Sequence, residues 1–339
     1  MKILYAFQGT GNGHLIRAHE ILPILSEKAE VDILISGKNS SLPFTYKAKY
    51  NLKGLNFVIG KNGGINLWKT ILNLNLFRFF KEVRSLPVKQ YDLIINDFEP
   101  VSAWAARLKA VNIVSLSHQN ALLNNEDSIL KSKKYFLERL LLKYYAPATN
   151  KFGFDFKTSS SSIFTPIIRQ KIRNQRVSNK GHYTVYLPAY NHEKIAKALA
   201  NIPIVKWHIF SKETNKLIYK KNIIIYPVNE FDFVKSMASS NGVICGAGFE
   251  TPSEALYMNK KLMVIPMKSQ FEQKYNAEIL KEMGVTVIKK LNKKRLAKIA
   301  KWINSDTTVT VNYNDNTEDI LDSIVLPYYN LTLLPTIPQ

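Results

Sequence analysis

The stretch "GVICGAGFETPSEALYMNKKLMVIPMKSQFEQKYNAEIL", residues 242–280, decides how the rest of the chain is read. A short apolar run ends in Gly246-Ala247-Gly248, and a helix is expected to begin near Phe249. Glycines let backbone amides approach a ligand closely, and a helix start offers unpaired N–H groups and a dipole that favours phosphate. Glu254, one to two turns into that helix, has the reach to accept two hydrogen bonds from a ribose diol. A second strand, "LMVIP", ends at Pro266, and "SQFEQKYNA" then gathers Gln270, Glu272 and Gln273 at its carboxyl end. Ligands of open α/β sheets bind at that edge. Amides grouped with a carboxylate suit a hydroxyl-rich ligand, because together they donate and accept.

Upstream of this stretch the same alternation continues. "YTVYLP" (183–188), "VKWHIF" (205–210) and "NIIIYP" (222–227) read as strands, separated by the helical runs "HEKIAKALA" and "EFDFVKSMASS". The first half repeats the pattern. "KILYAF" (2–7), "EVDILIS" (30–36), "LNFVIG" (55–60), "YDLIIND" (91–97) and "NIVSLS" (112–117) are expected strands. Helices are expected at 13–28, 66–84 and 100–110. Strands alternating with helices over short connections predict βαβ units around parallel sheets. Between the halves, "TPIIRQKIRNQRVSNKGH" (165–182) is polar and carries Arg169, Lys171, Arg173, Arg176 and Lys180. It reads as a linker. The expected organisation is a first domain over 1–165, a linker over 166–182, a second domain over 183–310 and an irregular tail over 311–339 that packs back on the first domain.

The first domain opens with "FQGTGNGHLIRAHE", residues 7–20, again a strand, a glycine-rich turn and a helix. Two cofactor motifs fail here. A Walker loop needs Lys-Ser/Thr after its last glycine, and none follows Gly13. The dinucleotide fingerprint would put glycine where His14 stands, and the second strand ends in Ser36-Gly37 without the acidic residue that motif uses. The loop is a connector, or it faces a phosphate or a reacting hydroxyl.

Bulk composition narrows the classes. The chain has 339 residues, 46% of them hydrophobic, enough for two buried cores. Cys245 is the only cysteine, so no internal disulfide forms and a reducing compartment is expected. "MKILYAF" is too short an apolar run for a signal peptide, and no stretch approaches the ~18–20 apolar residues of a spanning helix. The net charge of +21 points to nucleic acid, an anionic membrane face or phosphorylated substrates, or simply to a lysine-rich composition.

The series "GAGFETPSEAL…KLMVIP…QFEQKYNA", supported by "GTGNGH", resembles the GT-B glycosyltransferases, in particular the group of the peptidoglycan UDP-N-acetylglucosamine transferase and the UDP-glycosyltransferases. The resemblance covers essentially the whole chain. It implies an α/β fold of two Rossmann-like domains whose parallel sheets face a central cleft. It further implies a transferase moving a hexosyl group from a nucleotide diphosphate sugar, with UDP-sugar as the expected donor, to an acceptor hydroxyl. The reaction would invert the anomeric centre and use no metal and no cofactor beyond the nucleotide-sugar co-substrate. Carried over residue by residue, Gly246, Ala247, Gly248, Phe249 and Thr251 would hold the diphosphate and Glu254 the ribose. Gln270, Phe271, Glu272 and Gln273 would contact the sugar or diphosphate, with Asn276 in support and Phe231 beside the base. Gly11, Asn12 and Gly13 would line the acceptor side with His118 and Gln119. The chain lacks the long Trp-initiated signature of the plant enzymes, so the donor is not carried over with the fold.

Inverting transfer needs a base at the acceptor hydroxyl. The candidates follow strand ends of the first domain: His14, then Asp97 and Glu99 in "INDFEP". Either carboxylate could instead cap the helix that starts at Pro100. His19 is expected on a structural helix face, and His182, His192 and His208 as ordinary surface or strand residues. No histidine–carboxylate set has metal-ligand spacing.

"INLWKTILNLNLFRFFKEVR" (65–84) and "LKSKKYFLERLLLKYYAPATNKFGF" (130–154) mix aromatic, aliphatic and basic residues more widely than a core face needs. They suggest a patch that meets an anionic membrane, hence a lipid-linked or cell-envelope acceptor and a cytoplasmic protein peripheral to the inner membrane face. Two other functions stay open at this point: a non-hydrolysing UDP-sugar epimerase of the same architecture, and a basic nucleic-acid-binding protein, although no zinc or RNP-type motif is present.

Overall fold

The computed structural model describes residues 1–37, 44–55, 75–124, 135–268 and 270–333. They form two compact units. One holds the described residues up to Ile167 and from Asn314 onward, the other Ile168–Tyr313.

The first unit is built on a seven-stranded sheet of order β3-β2-β1-β4-β5-β6-β7. Its strands are β1 (Lys2–Gln8), β2 (Glu30–Ser36), β3 (Tyr50–Leu52), β4 (Leu93–Asp97), β5 (Ile113–Leu116), β6 (Asn150–Phe154) and β7 (Ile163–Phe164). Every pairing is parallel. The central strands β1 and β4 are buried on both faces, which explains their near-continuous apolar runs. After β3 the chain returns to lay β4 on the other side of β1, so the C-terminal ends of β1 and β4 form the point where the strand order reverses. Ligands of such sheets bind at that crevice. Leu4, Ala6, Leu34, Ile94 and Ile113 pack beneath Val101, Ala105, Phe79 and Val83 in one core.

The second unit has order β10-β11-β9-β8-β12-β13-β14. These are β8 (His182–Tyr186), β9 (Lys206–Ser211), β10 (Ile218–Lys220), β11 (Ile223–Pro227), β12 (Gly242–Cys245), β13 (Lys261–Val264) and β14 (Thr286–Val287). All pairs are parallel except β10 with β11. Here the order reverses between β8 and β12. Tyr183, Trp207, Ile209, Ile244, Met263, Ile299 and Trp302 form its core.

Several boundaries differ from the sequence reading. The short strands β3, β6 and β7 carry too little periodic signal to be read from sequence. The expected strand at 55–60 and the front of the helix at 66–84 fall outside the described residues, apart from Leu55; the described helix is Leu76–Ser85. The expected linker is part of the second unit from Ile168 onward. Ile168, Arg169 and Ile172 are buried, and the Ser178 and Lys180 amides donate to Ala238 and Ser239 carbonyls. Its polar composition hid those anchors. The expected irregular tail is largely the helix Thr317–Leu333 of the first unit, where Glu318 and Asp322 take the Lys28 ammonium at 3.0 and 2.8 Å.

Candidate active site

Gly11 turns β1 into the helix Asn12–Lys28 at φ 94°, a left-handed value that favours glycine. The buried stripe of that helix, His14, Leu15, Arg17, Ala18, Ile21, Leu22 and Leu25, has helical spacing but contains two polar side chains. Both point at the end of β4. Phe7 is level with Asp97 in the ladder, so Asp97 leaves the sheet on the face that this helix covers. His14 Nδ1 lies 2.9 Å from Asp97 Oδ1. Arg17 Nε donates to Oδ2 at 2.9 Å and Nη2 to Oδ1 at 3.1 Å, and Nη2 is 3.1 Å from His14 Nδ1. Asp97 is fully buried, which raises a carboxyl, yet Arg17 and then His14 more than offset this and hold it at about 2. A carboxylate so held is a poor proton acceptor. Asp97 is thus paired with both His14 and Arg17.

Glu99 is held by backbone amides instead. It caps the helix Pro100–Leu108, its two oxygens accepting the Val101 and Ser102 amides at 2.7 and 2.6 Å. It is fully buried, and that burial pushes its carboxyl upward. Asn96 completes the cap by accepting from the Glu99 amide and donating to its carbonyl. Asp97 and Glu99 thus answer to opposite faces of the turn. The residue between them, Phe98, has φ 56°, strained for a non-glycine residue. Its ring lies parallel to that of His14, 6.5 Å away, and against Tyr145 at 4.7 Å.

His118 opens the short helix His118–Asn124 after β5. Its Nδ1 is 2.7 Å from the Phe154 carbonyl, which only accepts, so that nitrogen carries a proton. The Arg17 guanidinium sits 5.7 Å above the Phe154 ring, which links His118 to the His14 group through one aromatic residue. Gln119 is buried beside it. Asn12 and Gly13 begin the first helix without a side-chain cap.

In the second unit, Gly246-Ala247-Gly248 follows β12 at the β8/β12 reversal. Neither glycine here adopts a positive φ. A Cβ at Gly246 would make only ordinary contact with Gln273, and one at Gly248 would meet nothing within 4 Å. Backbone conformation and packing therefore do not demand glycine at 248; open space in front of the backbone is what it preserves. The turn is held from behind, with Asn276 Nδ2 donating to the Ala247 carbonyl at 3.0 Å and Gln273 Oε1 accepting the Met267 amide at 2.9 Å. Phe249 is buried, Thr251 is half-buried in the helix Glu250–Tyr257, and Gln270, Phe271 and Glu272 stand half-buried where the helix Phe271–Glu282 begins.

Glu254 is not a waiting acceptor. Arg169 grips it with Nε to Oε1 at 2.6 Å and Nη2 to Oε2 at 2.9 Å, and all of this is buried. Arg169 also reaches Glu230 at 2.6 Å, and Lys171 holds the other Glu230 oxygen at 2.7 Å. Each Glu254 oxygen keeps one lone pair for a further donor. Phe231, one residue beyond Glu230, is 74% exposed in the first turn of the helix Glu230–Ser239, with the Lys235 ammonium 5.6 Å over its ring.

Arg17 and Arg169 are the site residues that the sequence reading missed. Arg17 had a readable signal, three residues after His14 and so on the same helix face. Arg169 lay in a segment read as linker. His182 and His208 are not ordinary strand residues either: their rings stack at 3.9 Å around Ser236, and burial lowers both, His208 to about 4. Among the described residues, no three His, Cys, Asp or Glu side chains converge as a metal would require.

Comparison with known proteins extends these observations. A family profile described as Glycosyl transferase family 1 matches residues 1–304. No curated protein sequence matches the chain. Among solved structures, MurG of Acinetobacter baumannii superposes with a TM-score of 0.61 at 16% identity, over 96% of this chain and 99% of that one. Arabidopsis thaliana UGT89C1, solved with UDP, has a TM-score of 0.64 at 13% identity, over 97% and 100%. The spinosyn rhamnosyltransferase SpnG, solved with thymidine diphosphate, has a TM-score of 0.59 at 12% identity, over 98% and 99%.

Proposed function

The chain belongs to glycosyl transferase family 1 and is a glycosyltransferase of the GT-B type, and we propose that its donor is a nucleotide diphosphate sugar, its reaction inverting and metal-independent, and its acceptor lipid-linked or a cell-envelope glycan. In this reading the second unit holds the donor. Amides of Gly246–Phe249 and the start of the helix Glu250–Tyr257 receive the diphosphate, with Thr251 beside them. Glu254, set by Arg169, takes ribose hydroxyls with its remaining lone pairs. Phe231 stacks on the base, and Gln270, Phe271, Glu272 and Gln273 meet the sugar.

The first unit supplies the base. An acceptor oxygen attacks the anomeric carbon while the bond from that carbon to the diphosphate oxygen breaks; the acceptor proton passes to His14 Nε2, and the nucleoside diphosphate leaves with the bonding pair. Asp97 receives the His14 Nδ1 proton in a hydrogen bond and steadies the imidazolium. Gly11, Asn12, Gly13, His118 and Gln119 line the acceptor side.

The observation that carries the donor assignment is Gly248, a glycine that neither φ nor packing requires. UDP is the first donor base to try, since two solved relatives carry UDP or thymidine diphosphate. Thermal unfolding with UDP, dTDP and GDP tests this. One of them should raise the unfolding temperature, and Gly248→Val should abolish the shift while leaving the unliganded protein folded. A shift retained in that variant removes the glycine turn from the donor site.

The membrane part of the reading rests on two helices of the first unit. Leu76, Phe77 and Phe80 on Leu76–Ser85, and Phe136, Leu137, Leu140 and Tyr144 on Phe136–Tyr145, are exposed among Lys81, Arg84, Arg139 and Lys143. The segment 53–55 joins them, since Glu82 accepts the Lys53 and Gly54 amides while Tyr145 donates to the Leu55 carbonyl. An apolar surface rimmed by cations fits an anionic lipid face. Among the described residues no helix is long and apolar enough to cross a membrane. This reading assigns the enzyme to the cytoplasm, peripheral to the inner membrane face; the Cys245 thiol is free and buried, and burial pushes it up, which makes it unreactive.

A further inference from the structure

We propose that Arg17 is a positioning residue of the transfer reaction, one that selects the His14 tautomer by holding Asp97 as the acceptor for Nδ1 and limits how tightly His14 holds the proton it takes. This rests on the reading of His14 as the base. The argument uses geometry within one unit.

Asp97 Oδ1 has two neighbours, Arg17 Nη2 at 3.1 Å and His14 Nδ1 at 2.9 Å, and those two nitrogens are themselves 3.1 Å apart. A guanidinium never presents a lone pair, so Nη2 always turns N–H outward. Nδ1 has two choices. It either accepts from Nη2, which leaves the ring proton on Nε2, or it donates to Oδ1, which leaves Nε2 as an acceptor. Only the second ring is a base. Arg17 already aims Nε at Oδ2 and Nη2 at Oδ1, the two-pronged grip of a guanidinium on a carboxylate. With one Nη2 hydrogen on Oδ1 and Oδ1 held in place by the two-pronged grip, donation from Nδ1 to Oδ1 is the arrangement that satisfies all three groups.

Charge gives the second consequence. With neutral His14 the triad carries one negative and one positive charge, in a site where Asp97 is fully buried and Arg17 nearly so. Proton uptake brings it to one net positive charge. Without Arg17, uptake would instead neutralise a buried anion, and the ring would keep its proton. Besides Asp97 from β4 and Arg17 from its own helix, Tyr5 of β1 is a titratable neighbour of the group among the described residues. The Tyr5 hydroxyl is coupled electrostatically to both, and burial keeps it neutral. From the turn after β4 the His14 ring meets the uncharged Phe98. Arg17 is thus the cation that balances Asp97.

Imidazole ¹⁵N NMR on the ligand-free full chain tests this, with His14 assigned by its loss in His14→Gln. Arg17→Gln, which keeps a hydrogen-bond donor without charge, should move the His14 titration upward by about one pH unit or more. The acid limb of kcat/KM should move with it. Arg17→Lys, which keeps charge but not the fork, should hold the titration near its parent position. Its ¹⁵N shifts should show both tautomers, with kcat down roughly tenfold and donor KM unchanged. A purely structural Arg17 would lower thermal stability and move neither readout. An unmoved His14 titration in Arg17→Gln, or a single unchanged tautomer in Arg17→Lys, overturns the proposal. If Arg17→Gln does not fold, the Arg17→Lys tautomer decides alone. If the NMR behaves as expected but no sugar is transferred from any donor, the clamp stands and the functional reading fails.

Discussion

At Asp97 a single carboxylate ends a central strand, fixes a histidine and neutralises a buried arginine. Its oxygens are shielded from water, so the pairing contributes to stability as well as to chemistry. The folded carboxyl sits at about 2 against 3.8 for the free group. A lowered folded value means stability that is present above pH ~4 and lost as pH falls toward 2, worth about 2 kcal/mol. Asp97→Asn, which strands Arg17, should cost about 3–5 kcal/mol near neutral pH. The gap between parent and variant should narrow between pH 4 and 2; thermal unfolding of both chains across pH 2–7 measures it. At this scale His14 and Asp97 were legible as candidates, because each follows a strand end of the first domain. The division of labour between Asp97 and Glu99 was not readable. It depends on which face of the sheet each side chain leaves by, and a strained φ at Phe98 turns the chain between them.

Elements follow local rules more closely, and their ends show where the rules are bent. The helix Pro100–Leu108 stops in a Schellman turn, in which the Val111 amide reaches the Ala106 carbonyl at 2.9 Å. The turn requires a left-handed residue, and it has Ala110 at φ 53°, exposed to solvent. Ala110→Gly should stabilise the protein by roughly 0.5–1 kcal/mol, read by urea unfolding, because glycine adopts that φ without the Cβ clash. The helix Glu250–Tyr257 solves the same problem with Asn259 at φ 52°, a residue that tolerates it better. The long parallel strands and the amphipathic helices were legible from apolar runs and 3.6-residue spacing. β3, β6 and β7, of two to five residues, were not: pairing partners, and not their own composition, make them strands.

The whole molecule repeats one solution twice. In each unit the chain builds outward from a central strand, returns to that strand's other side, and leaves a glycine turn at the reversal. The net charge of +21 adds a surface property to this frame. If the apolar helices of the first unit meet lipid, co-sedimentation with phosphatidylglycerol vesicles should be strong at low salt and fall steeply by ~0.5 M salt. Phe77→Ser with Phe136→Ser should weaken it further without lowering stability, since Phe77 is 85% and Phe136 63% exposed. Binding equal in parent and double variant would assign the effect to charge alone. The sequence by itself determined the α/β class, the two-part organisation and both glycine turns, because strand and helix periodicity and turn chemistry are local. Only the tertiary structure decided that Arg17 joins His14 on Asp97, that Arg169 occupies Glu254, and that Glu99 is a cap. Those pairings span 80, 85 and a few residues, and each is settled by which buried charge finds its partner when distant segments are brought out of water together.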